Sequence, residues 1–311
     1  MSELPSQGLC ADEGAARCGF VALLGAPNVG KSTLTNQLAG TKVSIVTHKV
    51  QTTRARIRAI VIEDASQLIL VDTPGIFTPK RRLDRAMVDA AWSGAGDADM
   101  VVVLIDAAGG LDEDTERILD RSRAFPVPVV IALNKIDQVR KETLLSLAEA
   151  AAARTSCDET FMISALNGDG VSDLKAYLAA RMPLGPWLYP EDQIADAPLR
   201  HTAAEITREK LYLRMHDELP YASTVETTDW KTLKDGSVRI EQTIYVQRPS
   251  QKKIVLGAKG RAIKQISMEA RSELAEILET PVHLFLFVKV REKWGDDPER
   301  YREIGLEFPK G

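Results

Sequence analysis

Gly25-Ala26-Pro27-Asn28-Val29-Gly30-Lys31-Ser32 constrains this chain more than any other stretch. It follows an apolar strand-like run, residues 20–25, and opens a helix-like segment, residues 32–39. The glycines let the backbone turn its N–H groups inward around an anion. The helix behind adds its positive N-terminal end. A strand, a tight loop and a helix in that order predict a phosphate site at the C-terminal end of a sheet strand. Lys31 is placed to reach β- and γ-phosphates and Ser32 to ligate Mg²⁺, with Thr33 completing the phosphate-binding residues. This pattern alone does not separate ATP from GTP.

The surrounding sequence supplies the rest of such a sheet. Strand-like runs at 56–63, 68–71, 100–106, 127–133 and 160–163 alternate with helix-like segments such as 112–123, 142–154 and 172–181. The alternation predicts an α/β fold with a doubly wound, mostly parallel sheet. Pro183, Gly185, Pro186, Pro190 and Pro198 then crowd one short span, which reads as a linker. Beyond it the pattern changes. Residues 201–218 are helix-like, with Ile206, Leu211, Leu213 and Met215 apolar, and 224–233 and 237–247 alternate as strands around Asp235-Gly236. Helix-like segments 250–256 and 262–278 flank Gly257-Ala258-Lys259-Gly260, and a last strand spans 282–290. The order α-β-β-α-α-β makes a smaller α+β domain. The expected divisions are a tail at 1–16, a first domain at 17–182, a linker at 183–200 and a second domain with its C-terminal tail at 201–311.

A chain of 311 residues is long enough for two such cores. No apolar run approaches the roughly 18 residues that cross a bilayer. The acidic N-terminus (Glu3, Asp12, Glu13) does not resemble a signal peptide. Cys10, Cys18 and Cys157 show no metal spacing and suit a reduced cytoplasm, and His48, His201, His216 and His283 are scattered, so no zinc site is read. Residues 1–200 hold 21 basic and 26 acidic side chains, against 19 and 18 in 201–311. Within the near-neutral second part, residues 242–268 carry Arg248, Lys252, Lys253, Lys259, Arg261 and Lys264 and no acid, either a polyanion contact or a solvated face.

Three further motifs fall at strand ends. Asp72-Thr73-Pro74-Gly75 offers an acid to support Mg²⁺ and a glycine N–H for the γ-phosphate. Asn134-Lys135-Ile136-Asp137 carries a carboxylate able to accept both N1–H and N2–H of guanine, a donor pair adenine lacks. Lys135 can cover the ring plane, Asn134 can tie this loop to the phosphate loop, and Ser164-Ala165 can present a backbone N–H to guanine O6. In Gln51-Thr52-Thr53-Arg54, either Thr52 or Thr53 can close over Mg²⁺, the order–disorder switch of GTPases. Residues 76–85, with Lys80, Arg81, Arg82 and Arg85, read as a second flexible stretch, either solvated or partner-binding. Lys31, Thr53, Asp72 and Gly75 form the expected catalytic set. Ile76 stands where switch GTPases often place a water-orienting glutamine, which predicts slow intrinsic hydrolysis.

Together these motifs resemble the Era family of bacterial ribosome-assembly GTPases, from about Arg17 to Glu307. The second domain adds Val255-Leu256-Gly257-Ala258-Lys259-Gly260 and Glu218-Leu219-Pro220-Tyr221 to that likeness. The resemblance implies GTP, GDP and Mg²⁺ as ligands, and a type II KH domain whose Gly-x-x-Gly loop clamps single-stranded RNA. Lys252, Lys253, Gly257, Ala258, Lys259, Gly260, Arg261 and Lys264 are then the RNA-binding residues. Leu256 stands where such loops often carry Ile. The implied partners are the 3′ end of small-subunit (16S-type) ribosomal RNA and the maturing 30S subunit, in a monomer that is cytoplasmic with loose inner-membrane association. An asparagine placed like Asn28 helps bind K⁺ in similar GTPases, while Asn28 also suits a stabiliser of the loop turn. A P-loop ATPase or kinase is disfavoured by Asp137. A non-switching RNA-binding assembly factor with a structural nucleotide is the alternative that Ile76 leaves open.

Overall fold

The computed structural model describes residues 15–216, 219–292, 294, 297–303 and 305–309. Glu3, Cys10, Asp12, Glu13 and Glu218 lie outside the described residues. The first sheet holds β1 (Arg17–Leu24), β2 (Ile57–Glu63), β3 (Ser66–Asp72), β4 (Met100–Asp106), β5 (Val129–Asn134) and β6 (Glu159–Met162). Their order is β2-β3-β1-β4-β5-β6, parallel except for β2 against β3. Helices α1 (Lys31–Ala39), α2 (Arg82–Gly96), α3 (Glu113–Ser122), α4 (Lys141–Arg154) and α5 (Val171–Arg181) cover it. Because both faces are covered, the central strands are apolar without alternation, and Val21–Leu24, Val101–Ile105 and Val130–Leu133 have no exposed surface. The chain departs from β1 toward β3 on one side and β4 on the other. The crevice so formed opens at the carboxyl end of β1, where the phosphate loop begins.

The second sheet pairs β7 (Ser223–Thr232) antiparallel with β8 (Val238–Val246), and β8 parallel with β9 (Val282–Val290) over nine residues. Helices α6 (Leu199–Arg214), α7 (Pro249–Leu256) and α8 (Arg261–Ile277) supply the covering layer. Helix α6 starts inside the span expected as linker. Its buried face carries Ile206, Leu211 and Tyr212, whereas Leu213 is half exposed, contrary to its expected apolar role. Among the described residues, no helix is long and apolar enough to cross a membrane.

Two regions differ from the sequence expectation, both through partners far away in the chain. Arg82 and Arg85 belong to α2 rather than to a flexible stretch. Asp84 starts that helix by accepting the N–H groups of Lys80 at 3.0 Å and Arg81 at 2.9 Å. Its Leu83 and Met87 pack with Trp294, Tyr301 and Leu306, around a short helix α9 (Pro298–Glu303) that periodicity did not suggest. The proline-rich span is strapped along edge strand β2. Ile60 N–H donates to Ile194 O at 2.8 Å and Asp196 N–H to Arg58 O at 3.0 Å, which closes a sheet edge that would otherwise present unpaired groups.

Leu104 has no exposed surface and sits mid-sheet. Leu104→Ala should lower the unfolding free energy by about 2–5 kcal/mol. The measurement is a denaturant titration, in which the midpoint falls and the slope is unchanged.

Candidate functional site

The phosphate loop is held in shape by its glycine and by a distant asparagine. Gly30 precedes α1 with φ 101°, and a Cβ there would come within 2.2 Å of Asn134 Nδ2. Asn28 is also left-handed at φ 63° and is exposed at the mouth of the cavity. Lys31, only 6% exposed, turns its ammonium onto the carbonyls of Gly25 at 3.0 Å and Ala26 at 2.9 Å. Burial lowers its pKa to about 8, although the Asp72 charge pulls the other way.

Beside it lies a nest of hard oxygens. Ser32 Oγ donates to Asp72 Oδ2 at 2.7 Å, and Thr53 Oγ1 stands 2.8 Å from Ser32 Oγ. The structure therefore separates the two threonines: Thr53 is at the carboxylate, while Thr52 Oγ1 donates to Lys49 O at 2.6 Å. Asp72 is fully buried and its Oδ1 has no hydrogen-bond partner. Burial raises its pKa, against the pull of the Ser32 hydroxyl and the Lys31 charge. A buried carboxylate oxygen with nothing to accept, next to two hydroxyls, fits a small hard cation such as Mg²⁺. Thr73 instead spends its hydroxyl on Leu23 O at 2.6 Å. Ile76 is buried in the core, its N–H donating to Gly25 O at 3.1 Å, so its side chain takes no part in the cavity.

The base end is tied to the phosphate end by Asn134. Its Nδ2 donates to Val29 O at 2.7 Å, and its Oδ1 accepts the Ala165 N–H at 2.9 Å. Any acceptor on a base must share or displace that Ala165 bond, because the Ser164 N–H is also taken, by Asp169 O at 2.9 Å. Asp137 is exposed, and its Oδ1 accepts the Ser164 hydroxyl at 2.6 Å. Lys135 Nζ is held 2.5 Å from Asp106 Oδ2. Phosphate loop, Thr52-Thr53, Gly75 and base loop enclose one cavity of about 590 Å³. Sequence reasoning missed Asp106, the partner of Lys135, and Leu166, an exposed apolar residue on the cavity wall. The only signal for Asp106 is its position at the end of β4, and for Leu166 its place directly after Ser164-Ala165.

In the second domain, α7 ends at Leu256 and α8 begins at Arg261, so the Gly-x-x-Gly loop joins two helices. Gly257 has φ 71°, and a Cβ there would meet Ala262 Cβ at 2.7 Å. Lys253, Ala258, Lys259, Arg261 and Lys264 are exposed around it, with Lys252 half-buried behind. This is a close-approach backbone surrounded by cations.

The two sites meet through residues 42–54. Lys42 Nζ is 2.5 Å from both Glu209 Oε2 and Glu273 Oε1, and Val46 N–H donates to Glu209 Oε1 at 2.8 Å. Lys49 Nζ donates to the carbonyls of Tyr212 and Met215 at the end of α6. Arg208 donates to the carbonyls of Gln51 and Thr52, and Arg54 donates to Ser223 O at 2.9 Å and to the Tyr212 hydroxyl at 2.6 Å. None of these pairs could be read from the sequence, since each joins positions more than 150 residues apart.

Comparison with known proteins agrees with both halves. Residues 20–135 match the family model described as 50S ribosome-binding GTPase, and residues 218–295 match the KH domain model. The chain is 67% identical over 294 residues to the GTPase Era of Afipia carboxidovorans, covering 94% of this chain and 96% of that protein. It is 66% identical over 293 residues to the GTPase Era of Brucella suis biovar 1, covering 94% of each. It superimposes with TM-score 0.89 and 38% identity on a crystal structure of Era in complex with MgGDPNP and nucleotides 1506–1542 of 16S ribosomal RNA, covering 93% of this chain and 99% of that one. A variant of Aquifex aeolicus Era bound to GDP·AlF4⁻ matches with TM-score 0.87 and 38% identity, over the same shares.

The Lys31 ammonium is lost as pH rises through about 8 in the empty site, whereas bound phosphates hold it charged. Nucleotide affinity should therefore fall about tenfold per pH unit above that point. Calorimetry in buffers of different ionisation heat should show proton uptake on binding, absent in Lys31→Met.

Proposed function

The chain belongs to the Era family of GTPases, and we propose that it is a GTP-hydrolysing switch that binds the 3′ region of small-subunit ribosomal RNA and assists assembly of the 30S subunit. Residues 25–32 cradle the phosphates, with Lys31 on the β- and γ-oxygens and Thr33 closing the set. Ser32, Thr53 and Asp72 would hold Mg²⁺, which when bound neutralises charge on the phosphates. The Gly75 N–H meets the γ-phosphate. Thr73, Pro74 and Ile76 shape that loop. Asp137 accepts the guanine donor pair, with Lys135 over the ring and a backbone N–H of Ser164-Ala165 at guanine O6. Lys252, Lys253, the Gly257–Gly260 loop, Arg261 and Lys264 clamp the RNA backbone. The domains are read as 17–182 and 201–311, joined by 183–200. The reading is of a monomer in the cytoplasm with peripheral contact at the inner membrane.

One observation carries the switch. Thr53 Oγ1 lies 2.8 Å from Ser32 Oγ in the metal nest, and the next residue, Arg54, bonds the RNA-binding domain at Ser223 O. Loss of γ-phosphate that frees Thr53 therefore disturbs the contacts of Arg54 and Arg208 with α6 and β7. Buried Ile76 leaves the attacking water to be oriented by another group. K⁺ beside Asn28 is the reading that its exposed, cavity-lining position supports, and it predicts faster GTP turnover in K⁺ than in equal Na⁺. Equal rates would remove K⁺ from the site.

The test of the whole reading is GTP turnover in K⁺ buffer with and without single-stranded RNA matching the 3′ end of 16S ribosomal RNA. Stimulation is expected, and should vanish when Gly257 and Gly260 are changed to Asp. Lys42→Ala with Lys49→Ala should keep RNA affinity within roughly twofold yet blunt stimulation, because it cuts coupling rather than binding. Undiminished stimulation in that double variant would refute the coupling route.

A further inference from the structure

A second cavity, of about 310 Å³, lies between the domains beside the Gln51–Arg54 segment and apart from the nucleotide site. Its walls include Arg54, Arg200, His201, Glu205, Arg208 and Trp294, with Glu226 also in the lining. Three arginines face two glutamates, so the lining is net positive by one charge with His201 neutral.

The buried part of that charge is poorly balanced. Arg54 is 4% exposed and Arg208 1%, and the ion pair with Glu205 goes to Arg208. Glu205 is gripped by Arg208 through both its oxygens, Oε1 receiving Nε at 2.8 Å and Oε2 receiving Nη2. Arg54 is left with neutral acceptors, the carbonyls of Ser223 and Pro220 and the Tyr212 hydroxyl, and with the faces of Tyr212 and Trp294 at 5.7 and 5.5 Å. Its Nε is buried with no hydrogen-bond partner. Burial accordingly holds its pKa below the ordinary arginine value. Buried cations are normally paired, and a buried donor without an acceptor is costly.

We propose that this cavity is an anion site that takes a phosphate group, which supplies the countercharge that buried Arg54 lacks. Guanidinium groups favour oxyanions, which offer several acceptor oxygens to a planar fork. The volume is at the lower end for ligand pockets and exceeds what a phosphate alone needs. Ala55, Val225 and Trp294 offer apolar surface for the group that carries the phosphate. A ligand here touches Arg54-Ala55 just before β2, helix α6, strand β7 and Trp294 together, so it favours the arrangement in which these elements meet.

The test uses the full chain with the nucleotide site filled by Mg²⁺ and a non-hydrolysable GTP analogue, titrated calorimetrically with inorganic phosphate at constant ionic strength. One phosphate per chain is expected. Its affinity should drop about tenfold or more in Arg54→Gln, as for loss of a charge-assisted bond. Arg200 is exposed and its change endangers no core, so Arg200→Gln should fold normally and still weaken phosphate binding, while Lys289→Gln, remote on β9, should not. Absence of phosphate binding, or binding equal in parent and Arg200→Gln, would overturn the proposal. Single-stranded RNA that expels the phosphate would identify the source as an RNA backbone; RNA and phosphate bound together would identify a free phosphorylated compound.

Discussion

Buried charge at one point, Arg54, holds the two halves of this protein in register. A guanidinium that leaves water must recover its hydrogen bonds, and those available come almost wholly from the other domain: Ser223 O, Pro220 O and the Tyr212 hydroxyl. The flanking residues are committed elsewhere. Thr53 belongs to the oxygen nest around Asp72, and the Thr52 carbonyl is bonded by Arg208. Three consecutive residues thus face three different obligations. A shift of the segment by even half a residue would break all of them together, so these three residues are bound to move as a unit.

Asn134 performs the equivalent task inside the first domain. It bonds Val29 of the phosphate loop and Ala165 of the base loop, and it is 2% exposed. The close approach demanded at Gly30 follows from this, since the asparagine amide occupies the space a side chain would need. Phosphate and base subsites are therefore spaced by one amide, so the cavity length is set by covalent geometry and two hydrogen bonds rather than by loop flexibility.

Much of this was legible in the sequence where local chemistry decides it. The phosphate loop, Asp72, Asn134–Asp137 and Gly257–Gly260 were readable because each needs particular residue types at fixed spacing, at strand or helix ends that periodicity marks. The choice of Thr53 over Thr52 was not readable, because it depends on which hydroxyl the fold turns toward Asp72. Helices α2 and α9 were not readable for a related reason. Leu83, Ala86 and Met87 at the start of α2 pack with Trp294 and Tyr301, more than 190 positions away, so its N-terminal turn reads as a basic loop until that partner is present. The proline-rich span reads correctly as a break in periodicity. Its bonding to β2 depends on an edge strand that sequence does not identify as an edge.

Ile76 shows how packing and catalysis exclude one another at a single position. Its side chain is buried in the same core cluster as Leu23, Leu70 and Val102, and its N–H is fixed on Gly25 O. A polar residue there would either leave a buried amide unsatisfied or pull the loop off the core. The chain has settled for the core contact, and this fixes the turn after Gly75 against the phosphate loop. The water-orienting group must then come from a residue free to move or from outside the chain. Such an arrangement suits a switch, because the group that the core cannot supply arrives only with a loop movement or a bound partner.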